Sequence, residues 1–327
     1  LTGREQRVVF NGKCSSWEEV LSGVPHGSVL GPTLFLMYIN DIDLAVDVSG
    51  SYLHKFADNT KWSMVVETQE QSQVFQEGIL RLEAWSREWQ MLFNADKCHI
   101  LHLGARNAKH EYIMGGRVLE SVDSEKDLGV VIHKSLKPSS QCAKAAGKAN
   151  QVLGQLSRAV TYRDKNNFLK LYSVYVRPHL EYAVQSWCPY TLEDKAALEK
   201  IQKRAISMVS NFTARTYEDK LREAGMITLE QRRQRGDMIQ VFKIMTKKEN
   251  VDPAIWFESL ADHRGEGIRT RYADGLYNVR HQACHNDVRK NFFSQRVCQS
   301  WNALQEYVKA STSVNMFKNQ YDLLFHP

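Results

Sequence analysis

No apolar run in this sequence approaches the roughly 18 residues that a membrane-crossing helix needs. The N-terminus also lacks a charged patch followed by an apolar core, so a secretory leader is not expected. The chain is therefore expected inside the cell, away from membranes, with nucleus and cytoplasm equally open. Cysteine is sparse: the six, at 14, 98, 142, 188, 284 and 298, are scattered without a CxxC pair, which suits reduced thiols rather than a disulfide framework. His281, Cys284 and His285 lie close together, but no second ligand pair stands at zinc-finger spacing, so ordinary polar residues are expected there. No internal repeat is present. With 43% apolar and 24% charged residues, disorder is not the default, and 327 residues can hold about two domains. The first residue is Leu1 rather than Met, which raises the expectation of a piece of a longer reading frame.

Charge is unevenly spread. The chain carries a net +6, yet residues 1–110 hold 10 basic and 13 acidic side chains, whereas residues 139–250 hold 20 basic and 11 acidic. A basic block of this kind is the footprint of a surface that tracks phosphates.

Local patterns divide the chain into a mixed half and a helical half. Arg7-Val8-Val9-Phe10 followed by Asn11-Gly12 predicts a hairpin, and the helix after it is expected from Pro32 to about Val46. Residues 52–57 and 60–66 predict two antiparallel strands, placed centrally in one sheet and joined by a tight turn around Asp58-Asn59. Thr68 with Gln71 is a capping-box signature, and Phe75, Ile79, Leu82, Trp85 and Trp89 recur at helical spacing, which predicts a long helix with a core-facing stripe. Further strands are expected at 98–103, 112–114, 117–120 and 128–133, with Gly115-Gly116 turning the middle pair. Beyond Pro138 the pattern is helical, at about 139–160, 165–176, 193–210, 216–224, 228–247 and 286–308, with a glycine-containing loop over 252–280. A sheet with helices on one face followed by a helical region is an α+β arrangement.

Ordered motifs sharpen this. Gly23-Val24-Pro25-His26-Gly27-Ser28-Val29-Leu30-Gly31-Pro32 crowds glycine and proline around small polar residues, so the backbone can approach a ligand closely. It is preceded by Asn11 to Trp17 and followed by Leu34-Phe35-Leu36-Met37-Tyr38-Ile39-Asn40-Asp41-Ile42, Phe56-Ala57-Asp58-Asn59, Asn94-Ala95-Asp96-Lys97-Cys98 and Lys126-Asp127-Leu128-Gly129-Val130. Then come Tyr175-Val176-Arg177-Pro178-His179-Leu180-Glu181-Tyr182, Arg232-Arg233-Gln234-Arg235-Gly236-Asp237-Met238, Phe292-Phe293-Ser294-Gln295-Arg296-Val297 and Trp301-Asn302. In this order the set resembles the reverse transcriptases of non-LTR retrotransposons of the jockey and chicken-repeat type.

The resemblance implies part of a right-hand polymerase palm over 1–137, a basic thumb-like helical domain over 138–250 and a C-terminal loop and helical region over 251–327. It implies RNA-directed DNA synthesis by two-metal nucleotidyl transfer with Mg²⁺ or Mn²⁺, for which oxygen ligands, usually carboxylates, are required. Asp58 matches the first acid of the family's hairpin pair and is the expected metal ligand; Asn59 stands where the second is expected, which removes one negative charge and weakens cation binding. No strand carrying the other metal-binding acid is found before Gly23, and Asp41 and Asp43 are expected to be local caps or solvated acids. Lys97 matches a lysine proposed to serve the leaving pyrophosphate, and Gly23, Pro25, His26, Gly27 and Ser28 match the loop that supports the incoming nucleotide and template base, with His26 in place of the usual glutamine. Leu128, Gly129 and Val130 resemble the hairpin that grips the primer end. Lys195, Lys200, Lys203, Arg204, Arg232, Arg233 and Arg235 are the candidate phosphate contacts. The implied partners are an RNA template, an RNA/DNA or DNA primer duplex and deoxynucleoside triphosphates, with the element's endonuclease region absent from this chain. Taken alone, the chain is expected not to polymerise, and the alternative is a non-catalytic nucleic-acid-binding module.

Overall fold

Turn-rich sequence at the start of the chain produces short strands. In the computed structural model, which describes residues 3–21, 23–24, 27–104, 107–260 and 277–325, β1 (Glu5–Gln6) pairs with β4 (Glu18–Glu19), and β2 (Val9–Phe10) with β3 (Lys13–Cys14). The second pair closes through Asn11 and Gly12, both at positive φ, as a hairpin turn of the primed type requires. The chain divides into two compact units, Leu1–Asp123 and Ser124–Pro327, and is a mixture of helices and small sheets. Among the described residues no helix is long and apolar enough to cross a membrane.

In the first unit α1 (Leu30–Tyr38) begins where the Ser28 hydroxyl accepts a hydrogen bond from the Gly31 amide at 2.9 Å. Pro32 is thus the third helical residue rather than the first, still within the turn whose amides have no intrahelical acceptor. The helix stops at Ile39 instead of running to Val46, and α2 (Ile42–Ala45) follows as a separate turn. At the break Lys55 Nζ donates to the carbonyls of Ile39 and Asn40 at 3.4 and 3.1 Å.

β5 (Ser51–Phe56) and β6 (Asn59–Met64) form the expected hairpin, in register from Phe56↔Asn59 to Ser51↔Met64. They do not lie centrally in a larger sheet. Each sheet among the described residues has two strands, and β5 and β6 pair only with one another. Alternation sends Leu53 and Trp62 inward against Ile39, Ile42, Val46, Leu82 and Trp85, the last two from α3 (Gln69–Glu88), whose capping box at Thr68 and Gln71 is formed. Trp62 also stacks on Phe75 at 4.2 Å and lies over Gly78, where a Cβ would come within 2.1 Å of Trp62 Cη2. Trp89 closes the helix edge-on to Tyr38 and stays partly exposed. β7 (His99–Ile100), shorter than expected, runs parallel to β10 (Glu120–Ser121), while β8 (Ile113–Met114) and β9 (Arg117–Val118) turn at Gly115-Gly116.

The second unit opens with the hairpin of β11 (Ser124–Asp127) and β12 (Val130–His133). Then follow α4 (Ser139–Ala159), α5 (Lys165–Leu171), a π turn over Tyr172–Val176, α6 (Arg177–Glu181), α7 (Val184–Trp187), α8 (Leu192–Ser207), α9 (Tyr217–Glu223) and α10 (Leu229–Met245). Ala145, Ala149 and Leu153 of α4 meet Leu198, Ile201 and Ala205 of α8 in one core with Phe168, Tyr172 and Val176. Small residues on the facing stripe of α4 let the two helix backbones approach.

A second core joins Met238, Val241 and Phe242 to Phe293, Trp301, Val308, Phe317 and Tyr321. It is built on short helices: α11 (Pro253–Trp256), α12 (Asp287–Lys290), α13 (Phe293–Arg296), α14 (Cys298–Asn302), α15 (Glu306–Lys309) and α16 (Val314–Phe325). The single helix expected over 286–308 is thus broken into turns, since a core of this shape wants aromatic residues from several directions. The expected loop over 252–280 contains α11 and a bridge between Ser259 and Val279; its Gly265, Gly267 and Gly275 lie outside the described residues.

Candidate functional site

Three places gather the residues that the sequence singles out. The first is the tip of the β5–β6 hairpin. Ala57 and Asp58 make the turn, with Ala57 at φ 51°, a left-handed conformation that costs a non-glycine residue about 1 kcal/mol or more. Asp58 and Asn59 are exposed, and Asn59 Nδ2 reaches Asp58 Oδ1 at 3.5 Å. The neighbouring acids are engaged elsewhere: Asp43 Oδ1 pairs with Lys55 Nζ at 2.8 Å, and Asp41 Oδ1 accepts from the Trp85 indole at 3.2 Å. Among the described residues no group of three histidine, cysteine, aspartate or glutamate side chains is placed to hold a metal ion. One carboxylate beside a carboxamide does not fit a two-cation centre, which needs several anionic oxygens.

The residues expected to contact nucleotide, template and pyrophosphate are dispersed over local structure. Gly23, at φ 87°, gives its carbonyl to Arg4 Nη2 at 2.7 Å; Gly27 is at φ 73°, and Ser28 starts α1. Pro25 and His26 lie outside the described residues. Lys97 is exposed in a 3₁₀ turn over Ala95–Lys97, opened by Asn94 Oδ1 accepting from the Asp96 amide, and does not end a strand.

The second place is the tip of the β11–β12 hairpin. Leu128 and Gly129 have φ of 45° and 89°, so they form the turn, and the strand begins only at Val130. The Tyr182 hydroxyl donates to the Leu128 carbonyl and Lys144 Nζ to the Gly129 carbonyl, both at 2.9 Å. A Cβ at Gly129 would meet Tyr182 Cε1 at 3.3 Å. The two hydrogen bonds fix the tip, while burial and then the nearby Lys126 ammonium hold Lys144 below the usual lysine range.

The third place is a groove of about 640 Å³ between α4 and α8. Lys200, Lys203, Arg204 and Ser207 recur three, four and seven residues apart and so share one face of α8; Ala146, Gly147 and Asn150 of α4 face them across the groove, with Ile201 between. Asn150 Oδ1 accepts from Arg204, and Lys203 Nζ lies 5.0 Å from the Tyr217 ring centroid. Exposed cations above a floor of small side chains form a surface onto which a phosphate backbone can settle. The α4 residues escaped sequence reasoning, although an Ala-Gly pair within a basic helix was the available signal.

The other basic candidates are committed to the protein. Lys195 pairs with Glu230 at 2.6 Å, Arg232 pairs bidentately with Glu181, and Arg235 holds Asp322 through Nε and Nη2 at 2.5 and 2.7 Å. Arg233 is 3% exposed. Several motifs of the second unit thus meet as joints: Leu128 with Tyr182, Glu181 with Arg232, and Asp237 with Arg296, the last through two 3.0 Å contacts.

Residues 5–144 match the family model described as reverse transcriptase (RNA-dependent DNA polymerase). The chain is 27% identical over 213 residues to the RNA-directed DNA polymerase from mobile element jockey of Drosophila funebris, an alignment covering 61% of this chain and 23% of that protein. It is 26% identical over 216 residues to the jockey polymerase of Drosophila melanogaster, covering 62% of this chain and 23% of the relative. To the probable RNA-directed DNA polymerase from transposon X-element of Drosophila melanogaster it is 28% identical over 196 residues, covering 57% and 21%. The alignments span less than a quarter of the length of these curated relatives. No solved structure matches the chain.

Proposed function

We propose, starting from the reverse-transcriptase likeness of residues 5–144, that this chain is the palm-like and thumb-like part of a retrotransposon RNA-directed DNA polymerase that holds nucleic acid but does not polymerise by itself. The observation that carries the second half of this reading is the donor set at the hairpin tip. Asp58 has Asn59 beside it, while Asp41 and Asp43 serve Trp85 and Lys55. In an active centre of this class Mg²⁺ or Mn²⁺ would lower the pKa of the attacking 3′-hydroxyl and neutralise the leaving pyrophosphate. With these ligands no step through such ions is assigned to the chain.

Its own residues do three things in this reading. Gly23 and Gly27, both at positive φ, offer the close backbone approach that a template base and nucleotide require, Leu128 and Gly129 present a tight turn to a primer end, and Lys200, Lys203 and Arg204 take phosphates. The ligands are then an RNA template and its RNA/DNA or DNA primer duplex. The assignment of 1–137 as palm-like, 138–250 as thumb-like and 251–327 as a C-terminal region belongs to the same proposal.

Primer extension on an RNA template with Mg²⁺ or Mn²⁺ tests it. Wild type and Asn59→Asp, each beside its Asp58→Ala control, are expected to give no Asp58-dependent product. Extension that vanishes with Asp58→Ala would overturn the reading and identify a working polymerase.

A further inference from the structure

The C-terminal part of the second unit holds another concavity, of about 330 Å³, whose chemistry differs from that of the α4/α8 groove. Trp256, at the end of α11, and Phe292, just before α13, line it with rings 6.1 Å apart and 8° from parallel. Phe293 packs edge-on against Trp256 at 6.0 Å, fixing the indole from a second side. Trp256 nevertheless remains 36% exposed and Phe292 43% exposed. Large aromatic side chains that are packed in place yet remain partly exposed have already lost rotamer freedom, which lowers the cost of binding a flat partner.

The rim is polar and ordered. Glu258 accepts from Gln282 Nε2 at 2.7 Å and from Arg280 Nη1 at 3.3 Å, while Arg289 Nη2 donates to Gln282 Oε1 at 3.3 Å. The Arg289 guanidinium also lies 5.6 Å from the Phe292 ring centroid. An aromatic platform bordered by the Arg289 guanidinium and by a mixed donor and acceptor edge matches a nucleobase with its phosphate better than it matches a neutral apolar ligand. Bases inside a duplex have their faces covered, so the strand must be single.

We propose that this pocket binds a nucleobase of single-stranded RNA or DNA, stacked against the Trp256 and Phe292 pair, with a neighbouring phosphate beside Arg289. The inference deepens the reading of the chain as a nucleic-acid binder, but it does not require the α4/α8 groove. The pocket also lies outside the residues 5–144 that match the reverse-transcriptase model.

The test uses the full chain, fluorescence anisotropy, and three probes of about 12 nucleotides, within the usual site size of single-strand binders: an RNA strand, the same sequence as DNA, and that DNA with abasic positions. Trp256→Ala is expected to weaken intact strands about tenfold or more, the range for losing one base stack, while leaving the abasic strand and the salt slope unchanged. Trp256→Phe, which keeps a ring, should retain most of the affinity. RNA binding more tightly than DNA would place a 2′-hydroxyl contact at the pocket; equal binding would assign the base alone, and both support the proposal. Equal binding of intact and abasic strands by the wild type, no binding of either intact strand, or a Trp256→Ala loss as large on the abasic strand would overturn it. A Lys200→Ala/Arg204→Ala variant keeps the two readings separable: failure to weaken duplex binding counts against the groove, and an unaltered difference between intact and abasic strands leaves the pocket standing.

Discussion

Gly78 shows how a single position can reverse a general rule. Alanine in place of a mid-helix glycine ordinarily stabilises a helix by about 0.5–1 kcal/mol. Here the new methyl would sit 2.1 Å from Trp62 Cη2, so the stacked Trp62 and Phe75 pair must move. Gly78→Ala is expected to destabilise the protein by about 1–3 kcal/mol, the usual cost of overpacking, and chemical denaturation would measure it. Glu223 gives a pH-dependent counterpart. Its hydrogen bond from Lys165, then amide donors from Ala214 and Thr213, hold its carboxyl down at about 2, below the ordinary 4.5. An acid depressed on folding stabilises fully above its unfolded value and loses that contribution as pH falls through its folded value. The melting-temperature gap between wild type and Glu223→Gln should therefore be constant above pH 4.5 and close as pH falls towards about 2.

Among elements, the joint between α10 and α13 bears the most. Arg296 spans Asp237 of α10 with two hydrogen bonds and also donates to the carbonyls of Gln185 and Asn291. Asp237 is 6% exposed, so removing the arginine leaves a buried carboxylate without its counter-charge. Arg296→Ala is expected to cost about 3–5 kcal/mol in a thermal or denaturant melt, whereas replacing an exposed ion-pair member such as Arg222 should cost less than about 1 kcal/mol. The same reasoning separates the basic residues of α8 and α10. Lys200, Lys203 and Arg204 are exposed to a groove, while Arg232 and Arg235 are spent on Glu181 and Asp322.

For the molecule as a whole, the basic block from 139 to 250 sets how it should meet nucleic acid. If phosphates are held by Lys200, Lys203 and Arg204, log affinity for a duplex falls linearly with log salt concentration. The Lys200→Ala/Arg204→Ala variant should bind every duplex sequence more weakly and show a slope shallower by about 2, one unit per lost contact. A variant of Arg232 and Arg235, whose charges are internally matched, should leave the slope almost unchanged while lowering the melting temperature. A titration series across salt concentrations checks both.

Much of this was legible in the residues themselves. The Thr68 and Gln71 capping box, the core stripe of Ile79, Leu82 and Trp85, the β5–β6 hairpin, whose turn falls at Ala57-Asp58 one residue before the expected Asp58-Asn59, and the stretch of helices after Pro138 are all local consequences of period, cap and turn chemistry, which act over a few residues. The pairing of Asp43 with Lys55, the burial of Arg233 and the use of Arg232, Arg235 and Arg296 as joints were not legible, because whether a charge meets a ligand or another residue depends on partners up to 111 positions away. The same holds for the Trp256 pocket, whose parts come from separated turns. Sequence alone determined where the long helices α3, α4, α8 and α10 and the β5–β6 hairpin lie, since these follow from neighbours along the chain; tertiary packing decided where α1 stops, how residues 286–308 break into turns and which charges remain open to solvent, since these are settled only when distant segments come into contact.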